Sequence, residues 1–270
     1  MKKETNKNNG WKIWEKSPEY GKALYYKSAI GEVDEMESAK ALCKIIAPIY
    51  KPGIKVLDVG CGAGHYLRSF KLRVDREINY TGLDATKYFI ELAREAFGKK
   101  YKFLVGDVFN LQFKKNEFDM IVCNNVILHL PPSPVKAISE LIRVAKKYVV
   151  IRTIFGERNY IIKEVRNPDK NKKNTLKSHT DFFDKDGQPV SYNFFNMYTE
   201  QYFKDVVSKI DKNIKIKIID DNDYKPFDNR EGGGETATRV VNGKQVSGNL
   251  ILNWKFVILE KANEKNKNKK

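Results

Sequence analysis

The chain contains 270 residues, 41% of them hydrophobic, 31% charged and 12% aromatic, and it carries a formal net charge of +16 at pH 7. This length suits one large α/β domain with insertions, and the aromatic content excludes a wholly disordered chain. A membrane-spanning helix needs about 20 consecutive apolar residues, and the sequence contains no such stretch. The lysines near the N-terminus precede no apolar segment, so we expect no secretory signal.

The positive charge is spread unevenly along the chain. Residues 1–16 carry a net charge of +3 and residues 261–270 carry +4, which leaves +9 on the rest of the chain. A basic surface can bind nucleic acid or an anionic membrane surface. The basic residues are mostly scattered lysines, a pattern more typical of a surface that keeps a protein soluble. Nucleic acid is therefore a possible but less favoured partner.

The cysteines and histidines indicate neither a disulfide framework nor a metal site. Cys43, Cys61 and Cys123 are odd in number and form no C-x-x-C pair, and the three histidines are too far apart for a metal-binding motif. We therefore expect no bound metal and a reducing, cytoplasmic setting. The sequence does not determine the oligomeric state.

Strands and helices are predicted to alternate between residues 33 and 155. Apolar runs predict strands at 54–60, 79–85, 101–107, 117–126 and 148–155, and amphipathic segments predict helices at 33–50, 65–74, 86–98 and 133–147. This alternation is typical of an α/β fold with a parallel sheet, whose ligand crevice lies at the carboxyl ends of the strands. Four polar residues fall at those ends: Asp58, Asp84, Asp107 and Asn124.

The alternation loosens after residue 155. Residues 156–197 are polar and aromatic without clear periodicity, and we interpret them as a cover over the crevice. A helix at 199–210 and strands at 214–220 and 249–260 are predicted beyond it, with a hairpin turn at Asn242-Gly243. The predicted organisation is a partly disordered extension (1–32), one domain (33–260) with insertions at 156–197 and 221–248, and a basic tail (261–270).

A glycine-rich loop follows the first predicted strand in the sequence VLDVGCGAG (56–64). The third glycine comes one residue too early for the dinucleotide fingerprint, and no G-K-[S/T] indicates a phosphate-binding loop. Close spacing of glycines can instead let the backbone approach a ligand. The loop, with an acid at the end of the next strand, suits a ligand that has an adenosine but no phosphate.

The segments VLDVGCGAG, TGLDAT, VGDVFNLQF, FDMIVCNNVILHL and YVVIRT resemble, in order, the motifs of class I S-adenosylmethionine-dependent methyltransferases. The resemblance is strongest over residues 54–155. It implies a doubly wound, seven-stranded, mostly parallel sheet of the Rossmann-like methyltransferase type, with an antiparallel last strand. It also implies S-adenosyl-L-methionine as the cofactor.

The resemblance implies that the glycine loop holds the methionine part of this cofactor. Gly60, Cys61 and Gly62 would let the backbone approach it, and the N-terminus of the following helix would favour its carboxylate. Asp58 would orient the loop or interact with the ammonium group of the cofactor.

The same resemblance assigns the nucleoside part of the cofactor to the ends of the next two strands. Asp84 would accept hydrogen bonds from both ribose hydroxyls, with Ala85 beside it in the site. Asp107 would accept a hydrogen bond from the adenine amino group, and Val108 would pack on the ring. An alternative for Asp107 is a turn aspartate at a strand end.

Methyl transfer needs a positioned nucleophile and, for an amine or hydroxyl, often a base. Asn124 would face the reaction centre, although Asn125 could point inward instead. His129 is the candidate base; the alternative is a local hydrogen-bonding role. Tyr66 is expected near the cofactor, and His65 is expected to be an exposed residue at a helix start.

The sequence leaves the acceptor open. A long cover rich in aromatic residues resembles that of small-molecule methyltransferases, and so favours an oxygen or nitrogen of a small acceptor, such as a sugar or polysaccharide precursor. One alternative is an RNA or protein methyltransferase, which the basic charge favours. A second alternative is a cofactor-binding protein without catalytic activity.

Overall fold

A computed structural model gives the fold and describes residues 21–165, 182–221, 238–247 and 250–262. Residues 1–20 of the predicted extension, most of the predicted insertion at 221–248 and most of the basic tail lie outside these ranges. The α-helices of the described residues are α1 (Lys27–Ile30), α2 (Glu37–Ile46), α3 (His65–Arg73), α4 (Lys87–Phe97), α5 (Val135–Val144) and α6 (Glu200–Ile210). A π-helical segment, Gly21–Tyr26, leads directly into α1.

A seven-stranded sheet forms the centre of the fold, in the order β3-β2-β1-β4-β5-β12-β8. Only β12 runs antiparallel to its neighbours β5 and β8, which confirms the predicted sheet. Its strands are β1 (Lys55–Val59), β2 (Asn79–Asp84), β3 (Lys102–Val105), β4 (Phe118–Asn124), β5 (Ala145–Ile154), β8 (Lys215–Asp220) and β12 (Trp254–Glu260).

Helices cover both faces of this sheet, because its central strands are apolar on both sides. On one face, α5 and α6 pack through residues that include Ile138, Leu141, Phe203 and Val207. On the other face, α2, α3 and α4 pack through residues that include Leu42, Ile46, Phe70 and Ile90. The doubly wound arrangement leaves the carboxyl ends of the parallel strands at one edge, where the predicted crevice lies.

Two smaller sheets lie beside that edge. A hairpin joins β6 (Lys163–Val165) to β7 (Tyr192–Phe194), and a three-stranded sheet contains β9 (Thr238–Val241), β10 (Lys244–Ser247) and β11 (Leu250–Leu252). Asn242 and Gly243 both have positive φ, as expected for the predicted hairpin turn. Buried contacts among Leu128, Met197 and Trp254 attach these sheets to the main sheet. The β6–β7 hairpin belongs to the cover predicted at 156–197, and the β9–β11 sheet adds to it. From here on, we call the two together the cover.

The prediction of one continuous strand at 249–260 was wrong. It is divided into β11 and β12, with Asn253 between them. β11 pairs with β10 in the cover, whereas β12 pairs with β5 in the main sheet. The Asn253 carbonyl accepts a hydrogen bond from Phe155 N–H at 2.9 Å. Residues 250–260 therefore contribute strands to two sheets, and strand propensity alone does not show where one strand ends and the next begins.

Within the described ranges, no helix combines the length and the apolar character needed to cross a membrane.

The glycine loop between β1 and α3 generates a stability prediction. A β-carbon at Gly60 (φ +79°) would collide with the Val126 side chain, whereas one at Gly53 (φ +83°) would meet nothing within 4 Å. Both alanine variants place a residue with a β-carbon in the left-handed backbone region, which destabilises the fold by about 1–2 kcal/mol. Gly60→Ala should lose about 1–3 kcal/mol more, because it also overpacks the loop. Urea unfolding of both variants measures the difference, and equal losses would contradict this account of the loop.

Candidate active site

A cavity of about 390 Å³ lies at the carboxyl edge of the main sheet. One wall, the sheet-edge wall, comes from the strand ends and the loops after them; it includes Gly60, Gly62, Asp84, Ala85, Asp107, Val108, Asn124 and Asn125. A second, the cover wall, comes from the β6–β7 hairpin and the residues around β10 and β12; it includes Glu164, Asn193, Phe195, Gln245 and Trp254. Leu24 and Tyr25, from the π-helical segment Gly21–Tyr26, also line the cavity.

The Asp84 carboxylate connects three elements of the sheet-edge wall. Its Oδ2 accepts a hydrogen bond from Gly62 N–H at 2.9 Å, and its Oδ1 accepts one from Thr86 N–H at 2.8 Å. The end of β2 is thereby fixed to the glycine loop and to the start of α4. Burial raises the pKa of Asp84, although the N–H groups of Thr86 and Gly62 oppose the shift. Asp84 remains partly exposed where it lines the cavity.

The glycine loop is also tied to β2 through its backbone. The N–H groups of Gly60 and Cys61 both donate to the Leu83 carbonyl, at 2.7 and 3.1 Å. The Cys61 side chain is fully buried in the core below the loop, and Cys61 is not among the cavity residues. Gly60 and Gly62 do line the cavity, so the loop presents backbone to a ligand and not the cysteine side chain.

Asp58 lies beneath the cavity and not on its wall. The carboxylate is almost completely buried, and its Oδ2 accepts a hydrogen bond from the Tyr80 hydroxyl at 2.8 Å. Burial raises the pKa of Asp58 to about 7. This position does not favour the predicted contact between Asp58 and the cofactor ammonium group. The other predicted role, supporting the loop, agrees with a site in the strand that carries it.

Asp107, Val108 and Ala85 all line the cavity; Asp107 and Val108 follow β3, and Ala85 follows β2. Asp107 is exposed, and its Oδ1 accepts a hydrogen bond from Phe109 N–H at 2.8 Å. The turn geometry that the sequence offered as an alternative is therefore present. It does not exclude a ligand contact, because Asp107 still faces the cavity and its carboxylate has further acceptor positions.

Asn124 and Asn125 both line the cavity but differ in their surroundings. The Asn125 side-chain oxygen accepts a hydrogen bond from Arg152 Nη1 at 2.6 Å. Asn124 is 4% exposed and interacts with the Tyr66 hydroxyl, but neither polar atom of its amide makes a close hydrogen bond with any described residue. A buried amide without a partner is unfavourable, so Asn124 is the better candidate for contact with a bound molecule.

His129 connects the sheet-edge wall to the cover. It ends a short 3₁₀ helix after β4, and its Nδ1 lies 2.8 Å from the Phe194 carbonyl oxygen. A carbonyl can only accept, so Nδ1 carries the proton and Nε2 of the neutral ring is the basic nitrogen. The Phe195 ring packs edge to face against the imidazole at 5.4 Å. The predicted base is therefore oriented by the insertion that covers it.

Sequence reasoning missed several residues of the cavity. His65, expected to be exposed, is only 5% exposed and lines the cavity; Tyr66 lines it as expected. Glu164 and Asn193 reach it because they are directly opposite each other in the β6–β7 register. No periodicity in 156–197 marks that register. In the described ranges, no group of side chains could hold a metal ion.

The fold and the cavity define a Rossmann-like α/β protein with a ligand site at the strand ends. A family model described as a methyltransferase domain matches residues 50–223, more than half of the chain. The chain therefore belongs to the family of class I S-adenosylmethionine-dependent methyltransferases, as the motifs predicted. S-adenosylmethionine is the cofactor of this family.

Curated relatives match a smaller part of the chain. Sterol 24-C-methyltransferase ERG6B of Gibberella zeae is 32% identical over 124 residues, which cover 44% of this chain and 31% of that protein. A mouse protein named "Probable tRNA methyltransferase 9B" is 34% identical over 96 residues, 35% of this chain and 20% of that protein. The chain thus spans less than a third of the length of these relatives, and their names differ in the acceptor.

A solved structure extends the likeness in fold over nearly the whole chain. Magnesium protoporphyrin IX methyltransferase from Synechocystis PCC 6803, with bound S-adenosylmethionine, has a TM-score of 0.51 at 14% identity. The match covers 94% of this chain and 93% of that one. At this identity, the likeness shows the fold.

The raised pKa of Asp58 predicts a pH dependence of stability. The pKa of this carboxyl is about 7 in the folded protein, whereas the ordinary pKa of an aspartate is 3.8. Between these values, the unfolded chain has lost the proton and the folded chain has not. Raising the pH from 4 to 7 therefore lowers the free energy of unfolding through Asp58. Above pH 7, Asp58 causes no further loss of stability.

Asp58→Asn removes this titration and keeps an acceptor for the Tyr80 hydroxyl. We expect the wild type to lose stability relative to the variant by on the order of 4 kcal/mol between pH 4 and pH 8. Denaturant unfolding of both proteins at several pH values measures it. Parallel curves of stability against pH would contradict the prediction.

Proposed function

We propose that the protein transfers a methyl group from S-adenosylmethionine to an oxygen or nitrogen of a small acceptor. The observation that carries the proposal is the cavity, which has seven of the nine predicted cofactor residues on the sheet-edge wall and a separate polar and aromatic surface on the cover wall. One cavity would therefore hold both the methyl donor and the acceptor. When bound, the cofactor supplies a methyl group already activated by a positive sulfur.

The donor would lie along the sheet-edge wall. A carboxylate has about four acceptor positions, and two of those on Asp84 accept from Gly62 and Thr86. Asp84 is also partly exposed on this wall, where its carboxylate would accept hydrogen bonds from the ribose hydroxyls. Gly60 and Gly62 present backbone to the methionine part, while Asp107 would accept from the adenine amino group. The remaining predicted cofactor residues on this wall are Ala85, Val108 and Asn124.

The acceptor would lie against the cover wall. The Oδ1 atom of Asn193 is buried and makes no hydrogen bond with any described residue, and the Glu164 carboxylate stands opposite it in the hairpin. Both groups accept hydrogen bonds, so they suit an acceptor that presents hydroxyl or amine donors. Phe195 and Trp254 supply aromatic surface. A sugar or a related polyol has this combination of hydroxyl donors and apolar faces.

His129 would remove the proton from the acceptor. Because Nδ1 is engaged by the Phe194 carbonyl, Nε2 is the nitrogen that takes a proton from a hydroxyl or amine during attack on the methyl group. Nε2 would take up and hold the proton of the acceptor, and the bound cofactor would supply the methyl group and keep the electrons of its carbon–sulfur bond. The products are the methylated acceptor and a neutral thioether.

RNA is the second candidate acceptor. The net charge of +16 and the tRNA methyltransferase named among the relatives favour it. The cover favours the small acceptor, because a buried hairpin residue such as Asn193 forms part of the wall. A cofactor-binding protein without activity would need neither an oriented histidine nor a polar cover wall.

We also infer a reducing, cytoplasmic setting. Cys43, Cys61 and Cys123 are all buried and unpaired, which agrees with a compartment where thiols stay reduced.

Methyl transfer from labelled S-adenosylmethionine tests the proposal. We expect label in a panel of small hydroxyl and amine acceptors, with turnover little changed between about 50 and 200 mM salt. Label in RNA, with binding that falls steeply over the same range, would contradict it in favour of the RNA alternative. Cofactor binding without transfer to any acceptor would favour the non-catalytic alternative.

Two variants of His129 test the base. His129→Asn keeps a donor near Nδ1 for the Phe194 carbonyl, whereas His129→Ala removes it, and neither has a basic nitrogen. Both should lower kcat by about 10²–10⁴ and leave the affinity for S-adenosylhomocysteine unchanged, since His129 acts on the acceptor. Steady-state rates and calorimetry measure the two effects. Near-normal turnover in His129→Asn alone would show a structural role and contradict the base assignment.

A further inference from the structure

His65 lies between two tyrosine rings at the start of α3. The Tyr25 ring stacks on the imidazole with ring centres 4.7 Å apart and planes 12° from parallel. The Tyr66 ring lies on it at 4.4 Å and is tilted by 40°. All three residues line the cavity. The imidazole is therefore held in one orientation by aromatic contacts from two separate parts of the chain.

The Nδ1 atom of His65 is a buried polar atom without a hydrogen-bond partner among the described residues. A polar atom left in this state is unfavourable for the folded chain, and each such atom in a folded protein calls for an explanation. The residue is 5% exposed, so bulk water does not satisfy it. A molecule bound in the cavity would.

The position of the ring indicates which part of a ligand it would meet. A β-carbon at Gly62 would lie 3.3 Å from Cε1 and 3.5 Å from Nδ1 of His65. The edge that carries Nδ1 therefore faces the glycine loop. Asp84 and Asp107, the predicted residues for ribose and adenine, stand at the ends of other strands. His65 is thus placed for the part of the ligand that lies over the loop.

His65 is neutral in this environment. Burial lowers the pKa of His65 to about 3, so the ring carries one N–H donor and one acceptor nitrogen in neutral solution. A contact made by Nδ1 would be a hydrogen bond and not an ion pair. This contact would add to the binding of a charged ligand group without placing a second buried charge in the cavity.

We propose that His65 binds the methionine end of S-adenosylmethionine through Nδ1, and that Tyr25 makes the helical segment 21–30 part of the cofactor site. This inference rests on the proposed function. Tyr25 also packs edge to face on Phe89 of α4 at 5.5 Å, and a β-carbon at Gly21 would collide with the same phenylalanine. The segment is therefore packed closely against the domain.

A matched pair of variants tests the hydrogen bond. Asparagine and leucine have nearly the same shape, but only asparagine can form a hydrogen bond at this position. We expect His65→Leu to weaken binding of S-adenosylhomocysteine about tenfold or more, and His65→Asn to stay within about threefold of the wild type. Binding is measured by isothermal titration calorimetry on the full chain.

A second probe locates the contact. 5′-Methylthioadenosine keeps the nucleoside and lacks the amino acid part, so its affinity should be the same for the wild type and both variants. Without ligand, His65→Leu should melt no lower than His65→Asn, since it leaves no polar group unpaired. Equal weakening of S-adenosylhomocysteine binding by both variants, equal losses for the two probes, or no loss in His65→Leu would overturn the inference. A wild-type protein that binds neither probe would instead overturn the proposed function.

Discussion

The site depends on two hydrogen bonds made by one carboxylate. Asp84 accepts from Gly62 N–H with one oxygen and from Thr86 N–H with the other. These bonds fix the glycine loop, the end of β2 and the start of α4 relative to one another. A rigid arrangement matters here because methyl transfer is promoted mainly by holding the reacting groups in line. The loop, in turn, limits the space available to His65, which lies beside Gly62.

Three of the residues that line the cavity carry buried polar side-chain atoms without a close partner. The side-chain amide of Asn124, the Oδ1 atom of Asn193 and the Nδ1 atom of His65 are buried and make no close hydrogen bonds with described residues. Each is unfavourable for the folded chain alone, and the apolar packing on both faces of the sheet has to offset it. Bound ligands would satisfy these groups. Ligand binding should therefore stabilise the fold, and part of the affinity would come from this relief.

The sequence allowed the sheet-edge wall to be predicted because its determinants are local. Asp84 and Asp107 follow apolar runs, and the ends of parallel strands meet at one edge whatever the loops do. The alternation indicated only a parallel sheet, and the seven strands with an antiparallel last strand were implied by the resemblance to class I methyltransferases. The prediction for His129 was partly local as well, since the histidine comes directly after β4, although its bond to Phe194 could not be foreseen.

The rest depended on contacts between distant segments. His65 is buried because Tyr25, 40 residues earlier, stacks on it. Glu164 and Asn193 reach the cavity through the register of a hairpin with no periodic sequence. Asn253 lies between β11 and β12 because the run of apolar residues around it is divided between two sheets. In each case tertiary contacts decide the position, and local propensity carries no signal for them.

The most direct test of the central claim is a crystal structure of the protein with S-adenosylhomocysteine. The account predicts both ribose hydroxyls within hydrogen-bond distance of the Asp84 carboxylate, the adenine near Asp107 and Val108, and the amino acid part over Gly60 and Gly62. A ligand bound elsewhere, or a ribose that does not contact Asp84, would contradict the claim that this carboxylate organises the cofactor site.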